Sequence, residues 1–513
     1  MNTKHNLLLI FLLLFTVSSV FADVGIWDRF ETSITNTKSY ADPYRDTTLN
    51  VTYTRPDGNK IQFWGFYDGG TTWTIRFMPD RLGSWKYSAT FSDGQPGKSG
   101  SYNCVPSDLP GMISQDEVNP IWFGFKGGSH VLIRSFHVGD RFFAENTTNP
   151  HTGESWSATQ RQVFLDWAEA QGYNMLSIAC HYLNRPRETR GLGWDTPDLW
   201  DREGNRPRAE EYRKMEAILD ELSRRRIMVY PFAGFYGKGL KPPKEQDDQE
   251  FFIRYILARI GAYWNITYNV AGPDPQGRGT ELLDRLGTFI KKNDIYAHPL
   301  SIHNYQRFDF PWVSYVVLQG WKKTDLQDVY QGMLEHHGNM PLYAQEVFWP
   351  GNYLHKPIVT NEQIRKKAYV LNMAAAAINY GDMGSGSTLG PDYNHGNSSS
   401  GFSGSMDLDD RHQEWHDIVK AVWDFFETIP FYEMSPHPDL VNNGYCLAKP
   451  GSRYLVYLPS RGGVDVSISN GPYRVEWINA QNTSERHDGG TTNDGQGLST
   501  PDSGDDWLVH LQK

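Results

Sequence analysis

Residues 173–179, Tyr-Asn-Met-Leu-Ser-Ile-Ala, and residues 227–233, Ile-Met-Val-Tyr-Pro-Phe-Ala, are apolar runs of strand length separated by a helical stretch from Ala209 to Arg225. The same unit extends in both directions. Before it stand His130-Val-Leu-Ile-Arg-Ser-Phe-His137 and a helical stretch from Ala158 to Gln171. After it come helical text from Gln249 to Tyr263, the run 266–271, a helix from Thr280 to Lys292, and the run 297–303. Runs at 314–319 and 342–346 and a weaker one at 379–382 complete the series, parted by helical or loop segments. Eight such units in about 270 residues predict an α/β fold of the (β/α)8 TIM-barrel kind, which takes about 250. A doubly wound open sheet needs a glycine-rich phosphate turn after an early strand, and none is present.

Both flanks read differently. From Asp23 to about residue 108, short alternating segments such as Leu49-Asn-Val-Thr-Tyr-Thr54 and Trp85-Lys-Tyr-Ser-Ala-Thr-Phe91 are split by turns, which predicts an N-terminal antiparallel β-sandwich. The barrel is expected over 119–430. Strands return over 431–513, in Arg453-Tyr-Leu-Val-Tyr-Leu458 and Tyr473-Arg-Val-Glu-Trp-Ile478, and predict a C-terminal antiparallel β-sandwich.

The chain of 513 residues carries 49 Lys+Arg against 60 Asp+Glu, a formal charge of −11 that gives no electrostatic reason to bind nucleic acid or an anionic membrane surface. Its 17 Trp, 28 Tyr and 26 Phe suit a core and equally suit stacking on sugar rings. Residues 1–22 have a basic start, an apolar stretch from Leu7 to Val17 and the small-residue ending Val20-Phe21-Ala22, the layout of a signal peptide cleaved after Ala22, so a secreted or periplasmic protein is expected. That stretch is too short for an integral membrane span. Cys104, Cys180 and Cys446 lie far apart and are expected to be buried thiols rather than a disulfide framework.

In a barrel, catalytic groups sit at the carboxyl ends of the strands. These positions hold His137 and Asp140; His181 and Tyr182; Phe235 and Tyr236; Gly272-Pro-Asp274; His303, Asn304 and Tyr305; Gln319 and Trp321; Glu346, Phe348 and Trp349; and Asp382. Aromatics, imidazoles, amides and a few carboxylates suit a neutral polyhydroxylated ligand. Glycosidic cleavage needs two carboxyl groups flanking the anomeric carbon. Asp274 and Glu346, from opposite sides of a barrel mouth, are the candidate pair. His137, His181, Tyr182, Tyr236, His303, Asn304, Tyr305, Trp321, Trp349 and Asp382 are the candidate substrate contacts. His395 stands on a Gly/Ser-rich loop after the last strand. No metal or other cofactor is expected: His336 and His337 are adjacent rather than four apart, and Asp407, Asp409 and Asp410 fail the EF-hand spacing. The Gly-x-Ser-x-Gly turn of Ser-His-Asp hydrolases is missing from the barrel text.

Residues 64–87, with Gly65-Phe-Tyr-Asp-Gly69 and Arg76-Phe-Met-Pro79, resemble the N-terminal β-sandwich that precedes many bacterial polysaccharide-degrading barrels. The barrel text resembles the apiosidase-like glycoside hydrolases, related to clan A, and Arg453-Tyr-Leu-Val-Tyr-Leu-Pro459 with Glu476-Trp-Ile-Asn-Ala480 is similar to the collagen-binding-type sandwich that follows such barrels. The resemblance implies a secreted hydrolase of O-glycosidic bonds in a plant or algal polysaccharide or derived oligosaccharide, with Asp274 as acid/base and Glu346 as nucleophile. Two departures stand out: Pro273 precedes the acid, and Trp477-Ile-Asn-Ala-Gln-Asn-Thr483 replaces the usual Trp-x-Asp-Pro-Arg-Thr-Gly. A catalytically inactive carbohydrate-binding protein and a polysaccharide lyase remain as alternatives.

Overall fold

The structure, a computed structural model, describes residues 23–138, 140–143, 147–148, 155–178, 199–201, 203–237, 243–272, 278–303, 310–319, 324–348, 360–382, 408 and 412–513. At the N-terminal end, a five-stranded sheet runs in the order Asp23–Gly25, Lys98–Val105, Gly83–Phe91, Leu49–Thr54, Lys60–Trp64. A three-stranded antiparallel sheet is built from Phe30–Thr35, Thr72–Phe77 and Phe66–Tyr67. Along Gly83–Phe91 every second residue is buried, so Trp85, Tyr87, Ala89 and Phe91 face inward. Across the gap Phe30 stacks on Tyr102 at 4.1 Å and Phe77 on Tyr53 at 4.2 Å, which sets the two sheets face to face. The hairpin Arg55-Pro-Asp-Gly58-Asn59 turns as its sequence predicts, with Gly58 at φ +88° and its N–H on the Arg55 carbonyl.

The central region is a curled, wholly parallel sheet. We label its strands β1 (Arg134–Val138), β2 (Met175–Ile178), β3 (Met228–Pro231), β4 (Tyr268–Asn269), β5 (Leu300–Ser301), β6 (Val316–Gln319), β7 (Leu342–Phe348) and β8 (Ala376–Tyr380). Six of them pair in the order β3-β2-β1-β8-β7-β6, while β4 and β5 form a parallel pair. A parallel bridge between Val229 and Ile266 joins β3 to the start of β4, and the Ser314 N–H reaches the Leu300 carbonyl at 2.9 Å beside β6. Every residue of β1, β2, β3 and β7 is buried, the pattern of strands covered on both faces.

Seven helices lie among the described residues of this region: α1 (Ala158–Ala170), α2 (Ala209–Arg224), α3 (Gln246–Ile260), α4 (Thr280–Asn293), α5 (Leu326–His337), α6 (Asn361–Met373) and α7 (Gln413–Glu427). Ser157 caps α1 by accepting from the Gln160 N–H, and Thr360 with Gln363 forms a reciprocal capping box on α6. Helix α3 starts three residues before the expected Gln249. Strand β8 starts at Ala376, ahead of the expected 379, because an alanine run carries no strand signature of its own and is drawn in by pairing with β7 and β1. Strands β4 and β5 are two residues each, much shorter than the apolar runs that suggested them.

The C-terminal sheet has six antiparallel strands, in the order Ser435–Pro436, Tyr445–Lys449, Arg453–Leu458, Trp507–Gln512, Tyr473–Asn479, Arg486–Thr492. Leu455, Tyr457 and Leu508 join the main core, whereas Tyr454, Val456 and Val509 join a separate cluster with Val464 and Val466. The uninterrupted apolar text of residues 454–458 follows from burial on both faces. Cys104 and Cys446 are buried free thiols, and burial pushes Cys104 up to about 11; Cys180 lies outside the described residues. No helix among the described residues is long and apolar enough to cross a membrane.

Buried ionic and hydrogen-bonded contacts fasten both flanks to the centre. Glu216 of α2 sits between Arg76 of the N-terminal sheet, at 2.9 Å, and Arg259 of α3, at 2.5 Å. Arg259 also meets Asp68 at 2.9 Å and is fully buried. Burial pushes the Glu216 carboxyl up, but the two guanidiniums outweigh it and hold the group below its ordinary value. At the other end Arg365 of α6 grips both oxygens of the buried Asp506, and Tyr369 donates to the Ala480 carbonyl. Glu216→Ala leaves two buried guanidiniums without their shared carboxylate and is expected to lower stability by about 3–5 kcal/mol in denaturant unfolding; a change near zero removes the cluster as the joint.

Candidate active site

The carboxyl end of β7 carries a strongly constrained residue, Glu346. Ala344 pairs with Ile378 and Phe348 with Tyr380, so three residues of β7, Gln345 to Val347, stand opposite the single residue Asn379 of β8. This bulge places Glu346 at φ +53°, in left-handed space where a side chain with a Cβ is held at a cost of about 1–2 kcal/mol. Its backbone N–H, having lost a ladder partner, donates to Asn379 Oδ1 at 3.1 Å. Its carboxylate accepts from the Gln319 amide at the end of β6. The next carbonyl, of Val347, accepts from Lys367 Nζ at 2.8 Å, and the Phe348 carbonyl takes the Gly381 N–H at 3.0 Å. Glu346 is 4% exposed. The result is a nearly buried carboxylate oriented from β6, β8 and α6 at once.

Below it, polar side chains fill the space between strands. Asn379 donates to Ser135 Oγ at 3.0 Å, and Ser135 Oγ lies 2.6 Å from the Tyr343 hydroxyl. Gln345 donates to Ser177 Oγ at 3.2 Å, and Ser177 Oγ lies 2.9 Å from His137 Nδ1. These contacts link β7 and β8 to β1 and β2. Phe232, just past β3, meets His137 edge-on at 5.1 Å and His303, past β5, at 4.7 Å, which brings the two expected imidazoles to the same end as Glu346. A Cβ on Gly272 would fall 2.4 Å from the Phe232 carbonyl and 2.8 Å from His303 Cβ, so only glycine passes there as the chain leaves β4 towards Asp274.

Two expected contacts point elsewhere. Tyr236 is buried against Phe252 with its hydroxyl 3.4 Å from the Gln249 carbonyl, because the turn after β3 directs it onto α3 and leaves Phe232 at the strand end. Asp382 is fully buried, its oxygens 2.8 Å from His412 Nδ1 and 3.0 Å from His416 Nε2; the two imidazoles outweigh its burial and hold the carboxyl far below its ordinary value. It anchors α7 to the end of β8 rather than facing a ligand. Asp274, His181, Tyr182, Asn304, Tyr305, Trp321 and Trp349 lie outside the described residues, as do His395, Asp407, Asp409 and Asp410; the side chain of Asp140 does too. His336 and His337 end α5 and contact backbone carbonyls. No cluster of three or more His, Cys, Asp or Glu set to hold a metal occurs among the described residues.

Sequence reading placed Gln319 at a strand end without assigning it a role, and it passed over Gln345, Asn379 and Lys367. The pairing of an amide with a glutamate in Gln345-Glu346 was a usable signal. Lys367 was not: in Ile364-Arg-Lys-Lys367 it reads as solvated, and only the packing of α6 buries it.

The profile described as "Apiosidase-like, catalytic domain" matches residues 133–421, more than half of the chain. The chain belongs to the apiosidase-like family. It is a glycosidase. A domain of unknown function, DUF5060, matches residues 23–92, the N-terminal sheets. Among solved structures, the chain is similar over 96% of its length to the whole of a Bacteroides vulgatus ATCC 8482 protein assigned to the glycoside hydrolases, at 19% identity and a TM-score of 0.68. A glycoside hydrolase family 5 protein of the same organism is similar at 15% identity and a TM-score of 0.59, over 80% of this chain and 96% of that one. A third structure, named glycoside hydrolase, gives 14% identity and 0.59 over 79% and 98%. These likenesses show the shared fold. No curated protein matches the chain.

Burial pushes the Lys367 ammonium from its ordinary 10.5 down to about 7. Between those values the unfolded chain binds more protons than the folded one, so this group makes stability rise with pH across that window. Thermal midpoints of the wild type are expected to climb from about pH 7 towards 10 by this term, and Lys367→Met is expected to flatten the climb; parallel profiles would remove Lys367 as its source.

Proposed function

We propose that the chain is a secreted, retaining glycoside hydrolase whose catalytic unit, over 119–430, is a (β/α)8 barrel between sandwich domains at 23–108 and 431–513. The eight parallel strands in sequence, with contacts at Val229 and Leu300 joining the β4-β5 pair to its neighbours, support the barrel. The observation that carries the activity is Glu346: a carboxylate at a strand's carboxyl end, nearly buried, and set in left-handed backbone by a bulge.

In this reading Glu346 attacks the anomeric carbon while Asp274 protonates the departing oxygen; Asp274 then deprotonates the water that releases the sugar from Glu346. Gln319 holds the attacking carboxylate in one orientation, so little reorganisation accompanies the attack. His137 and His303, packed on either side of Phe232, underlie the sugar site, and His181, Tyr182, Asn304, Tyr305, Trp321 and Trp349 are the further substrate contacts that the sequence offers. The substrate is a plant or algal polysaccharide or an oligosaccharide from it, which suits the aromatic and amide groups at the strand ends. The apolar leader ending at Ala22 supports export.

Glu346→Gln keeps the side-chain shape and removes the charge, so turnover is expected to fall at least about a thousandfold with sugar binding retained. Azide added to Glu346→Ala is expected to restore turnover with a glycosyl azide of inverted anomeric configuration as product. Wild-type turnover by Glu346→Gln, or products with the ultraviolet absorbance of a lyase reaction, would overturn the assignment.

A further inference from the structure

The reaction proposed above leaves a second cleft unused. The N-terminal sheets and α3 enclose a space of about 530 Å³ walled by Tyr44, Trp64, Tyr67 and Phe251, with Asp247 and Arg254 at its edge. The volume falls in the usual range for small-ligand sites, about 300–1,000 Å³. The four rings are only partly buried. Neighbouring charges are engaged: Arg45 pairs with Asp248 at 2.8 Å and lies over the Phe251 ring at 4.3 Å. Asp247 and Arg254 differ, for neither side chain holds a hydrogen bond or ion pair among the described residues. Aromatic faces beside an uncommitted carboxylate and guanidinium match the two surfaces of a sugar, an apolar ring face and an edge of hydroxyls.

Topology places the cleft usefully. A helix that follows a parallel strand runs back against it, so the first turns of α2 and α3 lie at the end where β2 and β3 finish, the end that carries Glu346. Asp247 and Phe251 sit in the first two turns of α3, and Arg254 stands one turn further along. An adjoining cleft of about 920 Å³, bordered by the start of α2, shares Tyr44 and Tyr67 as its wall. The two clefts therefore share a wall beside the first turns of α2 and α3.

We propose that this seam is a distal carbohydrate subsite that binds a sugar residue of the same glycan the enzyme cuts. The proposal rests on the glycan substrate inferred above and assigns a role to the N-terminal region, whose strands supply Trp64 and Tyr67 and whose loop before Leu49–Thr54 supplies Tyr44.

The test is affinity electrophoresis of the full chain, as Glu346→Gln, through gels containing soluble pectin, arabinoxylan, xyloglucan or alginate. Retardation by at least one polymer is expected, with about a tenfold weaker dissociation constant when Asp247→Ala and Arg254→Ala are added, the loss typical of a few removed polar contacts. In the active protein the same pair is expected to lower kcat/KM on that polymer about tenfold and to leave aryl glycoside hydrolysis within about twofold, because only the long substrate reaches the subsite. Trp64→Phe, which keeps an apolar face, is expected to bind like its parent, and equal thermal midpoints exclude unfolding. Retardation unchanged by the double substitution, or absent with every polymer, overturns the subsite. Turnover by Glu346→Gln overturns the nucleophile alone, since the binding comparison reads out independently of it.

Discussion

The backbone of Glu346 is the constraint around which the centre of the molecule is organised. A left-handed glutamate inside a strand gives up its ladder hydrogen bond, and a buried N–H without an acceptor is costlier than the strained dihedral itself. Asn379 supplies that acceptor from the adjacent strand, and its own amide is fixed by Ser135, which in turn contacts Tyr343. Three strands thus share one chain of polar contacts that fixes the backbone beneath the carboxylate. Lys367 fits the same scheme. Its long side chain crosses from α6 to the Val347 carbonyl within the bulge.

A constrained carboxylate needs a rigid surround, and the flanking sheets contribute to it. The N-terminal sheets reach the centre through Glu216, Arg76 and Arg259, which are mutually compensating charges and so remain ionised in an apolar setting. The C-terminal sheet buries one face against α6, with Arg365 and Asp506 as its polar anchor. Helix α6 therefore has two duties: one side carries Lys367 to the bulge and the other seats the C-terminal sheet. The helix that closes the set, α7, is tied to the end of β8 by the two imidazoles around Asp382.

Periodicity carried most of the architecture. Alternation marked Gly83–Phe91 as a half-buried strand, and continuous apolar runs marked β2 and β3 as strands covered on both sides. The exceptions share one cause. Strand β8 hides in an alanine run, β4 and β5 shrink to two residues, and the duties of Lys367 and Asp382 are invisible locally, because each depends on what packs against it rather than on its own neighbours in sequence.

From its order of residues alone this chain determines a parallel α/β centre with strand-rich ends, membership of a glycosidase family, and Glu346 as a strand-end carboxylate, since local pattern and motif suffice for these. Only the tertiary structure decided that Glu346 stands in a bulge held by Gln319, Asn379 and Lys367, that Tyr236 turns onto α3, and that Asp382 is enclosed by histidines. The physical reason is that direction and partnership of a side chain are set by groups distant in sequence: a bulge is a mismatch between two strands, and neither strand records it by itself.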